Sequence, residues 1–187
     1  MNINVNNNFD KIQSFDSTTK IFLSVLMACF TGIMAQVVIP LPWTPIPITG
    51  QTFGVLVAGL VLGKRYGVLS QILYILLGIT IIPWFTGMTG GIDAILSVNG
   101  GYLIGFIILT YFIHDLSDKL SKPIGITIAN FACIYIPGLI VLAIYTYISQ
   151  GILLSIPELL MIGLIPFVIG DIIKIIAASS LAKMIKI

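Results

Sequence analysis

Charged side chains are scarce in this sequence. Its 187 residues include only nine Lys or Arg and seven Asp or Glu, while 58% are hydrophobic, and the mean hydropathy is +1.11. Soluble domains are only about 45–50% apolar even when glycine is counted, so a water-soluble globule is excluded. The few basic residues form no dense stripe that could follow a phosphate backbone, so nucleic acid is not an expected partner.

Reactive and metal-binding motifs are also missing. The two cysteines, Cys29 and Cys133, have neither CxxC nor Cys/His spacing, and His114 is the single histidine. The sequence contains no GxxxxGK[ST] phosphate loop, no HExxH and no Ser/His/Asp set with a basis for activating a nucleophile. We therefore expect no metal, no cofactor, no enzymatic activity and no ATP hydrolysis by the chain itself.

Long apolar runs take up most of the chain. They are separated by segments marked with Pro, Gly and Lys, as expected of successive membrane helices. The sequence predicts an all-α integral membrane protein with a polar cytosolic tail over 1–17 and a membrane domain over 18–187. The six predicted transmembrane helices lie within 18–39, 51–62, 66–82, 101–113, 124–148 and 152–185.

The basic residues predict the orientation of these helices. The connections 40–50, 83–100 and 149–157 contain no Lys or Arg. Because basic residues collect in short cytosolic segments, both termini are predicted to be cytosolic in a multi-pass protein of the cell membrane. The residues on the predicted cytosolic side are Lys11, Lys20, Lys64, Arg65, Lys119, Lys122, Lys183 and Lys186.

Unequal helix lengths predict a pocket that opens outward. A perpendicular span needs about 20 residues, so runs 51–62 and 101–113 are too short, and a hollow is expected on the outer side beneath the loops 40–50 and 83–100. The last run is too long for one straight span. We expect Pro157 and Pro166 to break it, leaving an outer segment and a final helix over about 166–185.

Asp171 and Lys174 carry charges inside the last apolar run. Ionisable groups within the membrane are costly and usually mark a ligand or ion pathway. At a spacing of three residues both side chains project from one helix face, where they can neutralise each other and still bind a polar ligand. The alternative is a buried ion pair that only fixes helix packing.

Aromatic and polar residues near the outer ends of the helices could complete such a pocket. Trp84 and Phe85 precede a glycine-rich turn, and Tyr102 begins the fourth helix with a ring face and a hydroxyl. Gln51 begins the short second helix and could point into the hollow. The alternatives are an interfacial loop with Trp84 in the aromatic belt, and solvation of the helix end by Gln51.

Ala28 and Gly32 form a small-xxx-small pair on the first helix. Such a pair allows close approach of another helix, which belongs either to a partner protein or to this chain. Asn130, Gln36 and Gln71 are predicted to make polar contacts between helices.

Recognisable motifs extend over almost the whole chain after residue 20. They lie at 28–36, 39–42, 45–49, 51–52, 58–59, 62–63, 67–71, 87–91 and 100–106, and at Pro166-Phe167 followed by Gly170-Asp171 and Lys174. Taken together, these motifs resemble those of the BioY family, the biotin-specific substrate-binding (S) components of energy-coupling factor (ECF) vitamin transporters.

The resemblance implies a six-helix S component that binds biotin from outside with high affinity. It also implies partners, namely a membrane T component and two ABC-type ATPases, with the Ala28 and Gly32 face as the expected docking site. Asp171, Lys174 and Thr89 match ligand-contacting positions of the family. Leu103 stands where some relatives carry a basic residue, which leaves no charge contact to the biotin tail there.

The chemistry of biotin suits these residues. Its ureido ring offers two N–H donors and a carbonyl acceptor, which a carboxylate and an ammonium can engage together. In one pose Lys174 donates to the ureido oxygen, and in the other it binds the valerate carboxylate; Phe85, Trp84 and Tyr102 would form the walls. The competing hypotheses are an S component for a different vitamin and a purely structural helix bundle.

Overall fold

The computed structural model describes residue 12 and residues 14–119 and 122–185. Most of the predicted tail 1–17, with Lys11, lies outside these residues, as does Lys186. The division into a tail and a membrane domain therefore stays a prediction. Within the described ranges, five helical stretches are long and apolar enough to cross a membrane.

The first helix, α1 (Ser17–Met34), ends earlier than predicted. Asp16 caps its start by accepting hydrogen bonds from the backbone N–H groups of Thr18 and Thr19 and from the Thr19 hydroxyl. These hydrogen bonds lower the pKa of Asp16, and the largest contribution comes from the Thr19 hydroxyl. Beyond the helix, β1 (Val38–Ile39) pairs antiparallel with β2 (Ile48–Thr49), and the proline-rich segment joins the two short strands.

The element α2 (Gln51–Thr80) is a hairpin of two helices. Gly63 separates them with φ 77° and ψ −179°, a conformation that suits glycine. A Cβ on Gly67 would lie 3.2 Å from the Cα of Gly59, so the two halves run side by side. We call the halves α2a (51–62) and α2b (64–80); with this division the predicted six helices and the all-α class are confirmed.

The helix α4 (Gly100–Lys119) is longer than the predicted run 101–113, and that prediction of a short fourth helix is wrong. A short helix α3 (Ile92–Ile95) precedes it in the outer connection. The polar residues His114 and Asp115 do not end α4, because both find partners on α2. The His114 Nε2 lies 2.9 Å from the Gly59 carbonyl oxygen, and Lys64 Nζ lies 3.0 Å from Asp115 Oδ2. Only α2a is short.

A π-helical turn interrupts the next helix. It occupies Phe131–Tyr135, between α5 (Lys122–Asn130) and α6 (Ile136–Gln150). Nothing in the apolar pattern predicted it.

The last apolar run is broken as predicted near Pro166. Helix α7 (Ile156–Gly163) is followed by a 3-10 turn (Ile165–Phe167) and by α8 (Val168–Ile185). Pro157 lies in the first turn of α7, where a missing N–H is tolerated.

The core is centred on α2a, whose residues Val55 to Ala58 are almost fully buried. Helices α1, α4 and α8 all pack against α2. Lys20 and Arg65 both lie over the Tyr66 ring, and Lys64 lies over the Tyr111 ring near the end of α4. Several of the basic residues used to predict the orientation therefore meet at one end of the bundle.

Candidate ligand-binding site

A cavity of about 470 Å³ lies at the other end of the bundle. It is bounded by the β1–β2 hairpin, the starts of α2a and α4, the connection 83–100, the π turn and the first turn of α8. The predicted site residues that line it are Gln51, Phe85, Thr89, Tyr102, Asp171 and Lys174. The predicted pocket opposite the basic end is thus present.

Four polar residues form a hydrogen-bonded cluster at the floor of this cavity, and three of them, Tyr135, Asp171 and Lys174, line it. The floor cluster consists of Asn130, Tyr135, Asp171 and Lys174. Lys174 Nζ donates to Asp171 Oδ1 at 2.8 Å, while Asn130 Nδ2 (3.0 Å) and the Tyr135 hydroxyl (2.7 Å) donate to Oδ2. Asp171 is 1% exposed, and the Lys174 side chain is 16% exposed. Three donors therefore stabilise a carboxylate that is almost fully buried at the edge of the cavity.

The break before α8 places Asp171 in the first turn of that helix, where the helix dipole favours a negative charge. Because Pro166 has no N–H, the carbonyl of Ile162 has no helical donor. Thr44 supplies one through its hydroxyl at 2.8 Å, and the Tyr102 hydroxyl donates to the neighbouring Gly163 carbonyl at 2.8 Å. Tyr102 therefore lines the cavity and also fixes the helix break.

Gln51 connects three segments around the cavity. Its Nε2 donates to the Tyr74 hydroxyl at 2.7 Å, and its Oε1 accepts from the hydroxyls of Thr49 (2.9 Å) and Thr86 (3.0 Å). Gln51 faces the cavity as predicted, but its amide already has partners within the protein. Its main effect is to join the hairpin, α2 and the following loop.

The connection 83–91, here called the roof loop, covers the cavity. The Phe85 N–H donates to the Thr89 carbonyl at 2.8 Å, and the Thr89 hydroxyl donates to the Thr86 carbonyl at 3.0 Å. Gln36, two residues beyond the end of α1, accepts from the Met88 N–H at 3.0 Å and donates to the carbonyl of Trp84 at 2.9 Å. The sequence indicated Gln36 as a contact between helices, whereas it anchors this loop.

Trp84 does not line the cavity, and the prediction that it forms a wall is wrong. Its Nε1 donates to the Tyr74 carbonyl at 2.9 Å, and its ring centroid lies 5.4 Å from that of Tyr74. A Cβ on Gly32 would approach the Trp84 ring to 2.8 Å. The indole is buried between α1 and α2b, because its N–H finds a carbonyl there.

Ala28 and Gly32 lie inside the chain. Ala28 is fully buried, and Gly32 is covered by Trp84. The pair is therefore not an exposed docking face, and of the two alternatives internal packing is the one observed. Larger apolar side chains of α1 remain exposed, among them Phe22, Leu26 and Ile33.

Sequence reasoning missed Tyr135 altogether and assigned Asn130 only a general helix contact. Both belong to the floor cluster, and Tyr135 also lines the cavity. An asparagine within an apolar run was a usable signal, but its pairing with a tyrosine five residues later depends on the π turn. Asp93, Ser97 and Asn99 line the cavity as well and were not predicted.

The comparisons with known proteins agree on one family. The model of the BioY family matches residues 5–187. A protein of Methanothermobacter thermautotrophicus named "Probable biotin transporter BioY" is 44% identical over 135 residues, covering 68% of this chain and 86% of that protein. The "Biotin transporter BioY" of Thermotoga maritima is 34% identical over 151 residues, covering 79% of this chain and 85% of that protein.

A solved structure, described as "the S-component for biotin from an ECF-type ABC transporter", has a similar fold. It superposes with a TM-score of 0.75 at 26% identity, over 90% of this chain and 91% of that chain. With the family model matching nearly the full length and two relatives above 30% identity, this chain belongs to the BioY family.

Proposed function

We propose that this chain is the high-affinity biotin-binding S component of an ECF-type uptake transporter. Like the other proteins of its family, it is a multi-pass cell membrane protein and a transport component, and it is not an enzyme. The observation that carries the choice of ligand is the buried Asp171–Lys174 pair at the floor of the cavity. The cavity volume of about 470 Å³ lies in the usual range for small-molecule sites.

The free hydrogen-bonding capacity of the floor cluster matches one edge of a cyclic urea. Oδ2 of Asp171 already accepts two hydrogen bonds, whereas Oδ1 accepts one, from Lys174. Oδ1 can accept one further N–H, and two protons of the Lys174 ammonium remain for a carbonyl oxygen. The ureido ring therefore binds with one N–H on Oδ1 and its carbonyl on Lys174.

The alternative pose, with the valerate carboxylate on Lys174, is disfavoured by charge. It would bring a second carboxylate next to the buried Asp171, where like charges repel strongly. In the favoured pose the thiophane ring and aliphatic chain pass between Phe85, Tyr102 and Leu103, all of which line the cavity. The carboxylate then points to the end where the Asn99 side-chain amide can donate hydrogen bonds.

ATP-dependent uptake requires other proteins, because the sequence has no phosphate-binding loop for ATP. The proposal therefore includes a membrane T component and two ABC-type ATPases as partners, in line with the ECF-type transporter from which the similar structure comes. Large apolar side chains of α1, including Phe22, Leu26 and Ile33, remain exposed for contact with lipid or such a partner.

Isothermal titration of the detergent-purified chain tests the ligand. We expect a nanomolar Kd for biotin, which corresponds to about 12 kcal/mol, and no heat with thiamine or riboflavin. Tight binding of another vitamin without biotin binding would favour the alternative S component. Absence of any vitamin binding, together with no biotin in the purified sample by mass spectrometry, would favour the structural bundle.

A further inference from the structure

The two oxygens of the Asp171 carboxylate are bound by residues of two different helices. Lys174, on the same helix, holds Oδ1 and lines the cavity, whereas Asn130 and Tyr135, on another helix, both hold Oδ2. The two bonds to Oδ2 fix the rotation of the carboxylate group about its own axis. They therefore hold the plane of the carboxylate so that its other oxygen lies beside the Lys174 ammonium.

The π turn makes this arrangement possible. Asn130 directly precedes it and Tyr135 is its last residue. At 3.6 residues per turn, positions five apart are separated by about 140° around an α-helix. A π turn closes its hydrogen bond from i to i+5 and so takes in one extra residue, which brings positions five apart towards the same face. Both side chains can then reach the same oxygen.

Tyr135 is also fixed by its ring contacts. Its ring stacks on Phe131 with centroids 5.4 Å apart, meets Tyr102 edge-on at 5.9 Å and lies 6.3 Å from Phe167. The residue is 4% exposed. The hydroxyl has little freedom to leave Oδ2, so the orientation of the carboxylate is set before a ligand arrives.

Asn130 is retained at a cost to stability. It is fully buried, and among the described residues its Oδ1 has no hydrogen-bond partner. A buried acceptor without a partner destabilises a fold, because its hydration is lost and not replaced. Packing alone would favour an apolar side chain at this position, which points to a role for the Nδ2 bond to Asp171.

We propose that Asn130 and Tyr135 are positioning residues for the ligand, acting through Asp171. By occupying Oδ2 they present Oδ1 and the Lys174 ammonium side by side to a cis N–H and C=O edge of the ligand. This inference rests on the proposed function, because the ligand edge it describes is that of the ureido ring. It assigns recognition to four residues of two helices.

A double-mutant cycle on the purified full-length chain tests the proposal, with the Kd for biotin as the readout. Tyr135→Phe is expected to weaken binding about tenfold in the wild-type background, since a hydrogen bond to a charged group is lost. In the Asp171→Ala background the same change is expected to alter the Kd less than about twofold, because a positioning residue has nothing left to position. Asn130→Leu should behave in the same way.

Tyr102→Phe is the matched control. It removes the hydroxyl of another buried tyrosine that lines the cavity, but one that donates to Gly163 and not to Asp171. Its effect on the Kd should be the same factor in both backgrounds. If Asp171→Ala does not fold, the cycle is run with Asp171→Asn, where Tyr135→Phe is expected to cost less than about threefold.

Equal factors for Tyr135→Phe in both backgrounds would overturn the positioning role and leave the proposed function intact. A wild-type chain that binds no biotin would overturn the proposed function itself, so the two failures are distinct. Strong coupling for Tyr135 and Asn130 with none for Tyr102 would support the proposal.

Discussion

The floor and the roof of the cavity are built in different ways. The floor cluster lies on helices, contains the buried charges and is held by bonds between side chains. The roof loop carries no charge and is held largely by bonds that involve its own backbone, several of them to the single residue Gln36. Removing one partner of a buried charge is strongly unfavourable in free energy, whereas removing a neutral hydrogen bond at the surface has a small effect. The floor should therefore decide which ligand binds, and the roof should control how fast it enters and leaves.

The largest effect is expected at the floor. Asp171→Asn and Lys174→Ala should each weaken biotin binding at least about tenfold, because each leaves a charged partner uncompensated in a low dielectric. Titration calorimetry measures the affinity, and thermal unfolding without ligand shows whether the bundle is intact. Unchanged affinity in a folded Asp171→Asn protein would remove this pair from the site.

The next effect concerns the packing beneath the roof loop. Gly32→Leu should destabilise the protein by about 1–3 kcal/mol through overpacking, because an added Cβ already approaches the Trp84 ring to 2.8 Å. Thermal unfolding of the purified chain measures this loss of stability. Ile33→Leu, at a neighbouring position that is 63% exposed, is the matched control and should leave the melting temperature unchanged. A normal melting temperature for Gly32→Leu would mean that Trp84 is free to move away.

A smaller effect is expected where the roof loop is anchored to Gln36, just beyond the end of α1. Gln36→Leu removes the bonds to Met88 and Trp84, so we expect biotin to dissociate about threefold to tenfold faster, which is in the range for the loss of neutral hydrogen bonds. Stopped-flow displacement with excess ligand measures the rate. Thr80→Val, which removes an exposed hydroxyl bonded within its own helix, serves as the control. An unaltered rate would show that the loop does not limit release.

The smallest effect is expected at Thr89. Its hydroxyl donates to the Thr86 carbonyl, so Thr89→Ala should change the Kd for biotin less than about threefold, a shift below 1 kcal/mol. Titration of this variant beside the wild type decides the point. A loss of tenfold or more would mean that the hydroxyl turns to the ligand, as the family resemblance implied, and that the roof also contributes to affinity.

Sequence patterns predicted the parts of this protein that depend on composition along the chain. Apolar runs and basic connections predicted six helices and the end at which the cavity opens, since the membrane demands long apolar segments whatever they pack against. Asp171 and Lys174 were recognisable because charges inside such a run are rare. The break near Pro166 was recognisable because proline has no N–H to donate.

Tertiary structure decided which faces of the helices meet. Small residues on α1 allow close packing by any partner, and only the folded chain shows that Trp84 covers Gly32. The extension of α4 past His114 depends on acceptors and charges supplied by α2. The floor cluster depends on a π turn that brings two residues onto one carboxylate. Such contacts form between segments distant in the chain, so the local pattern of residues does not determine them.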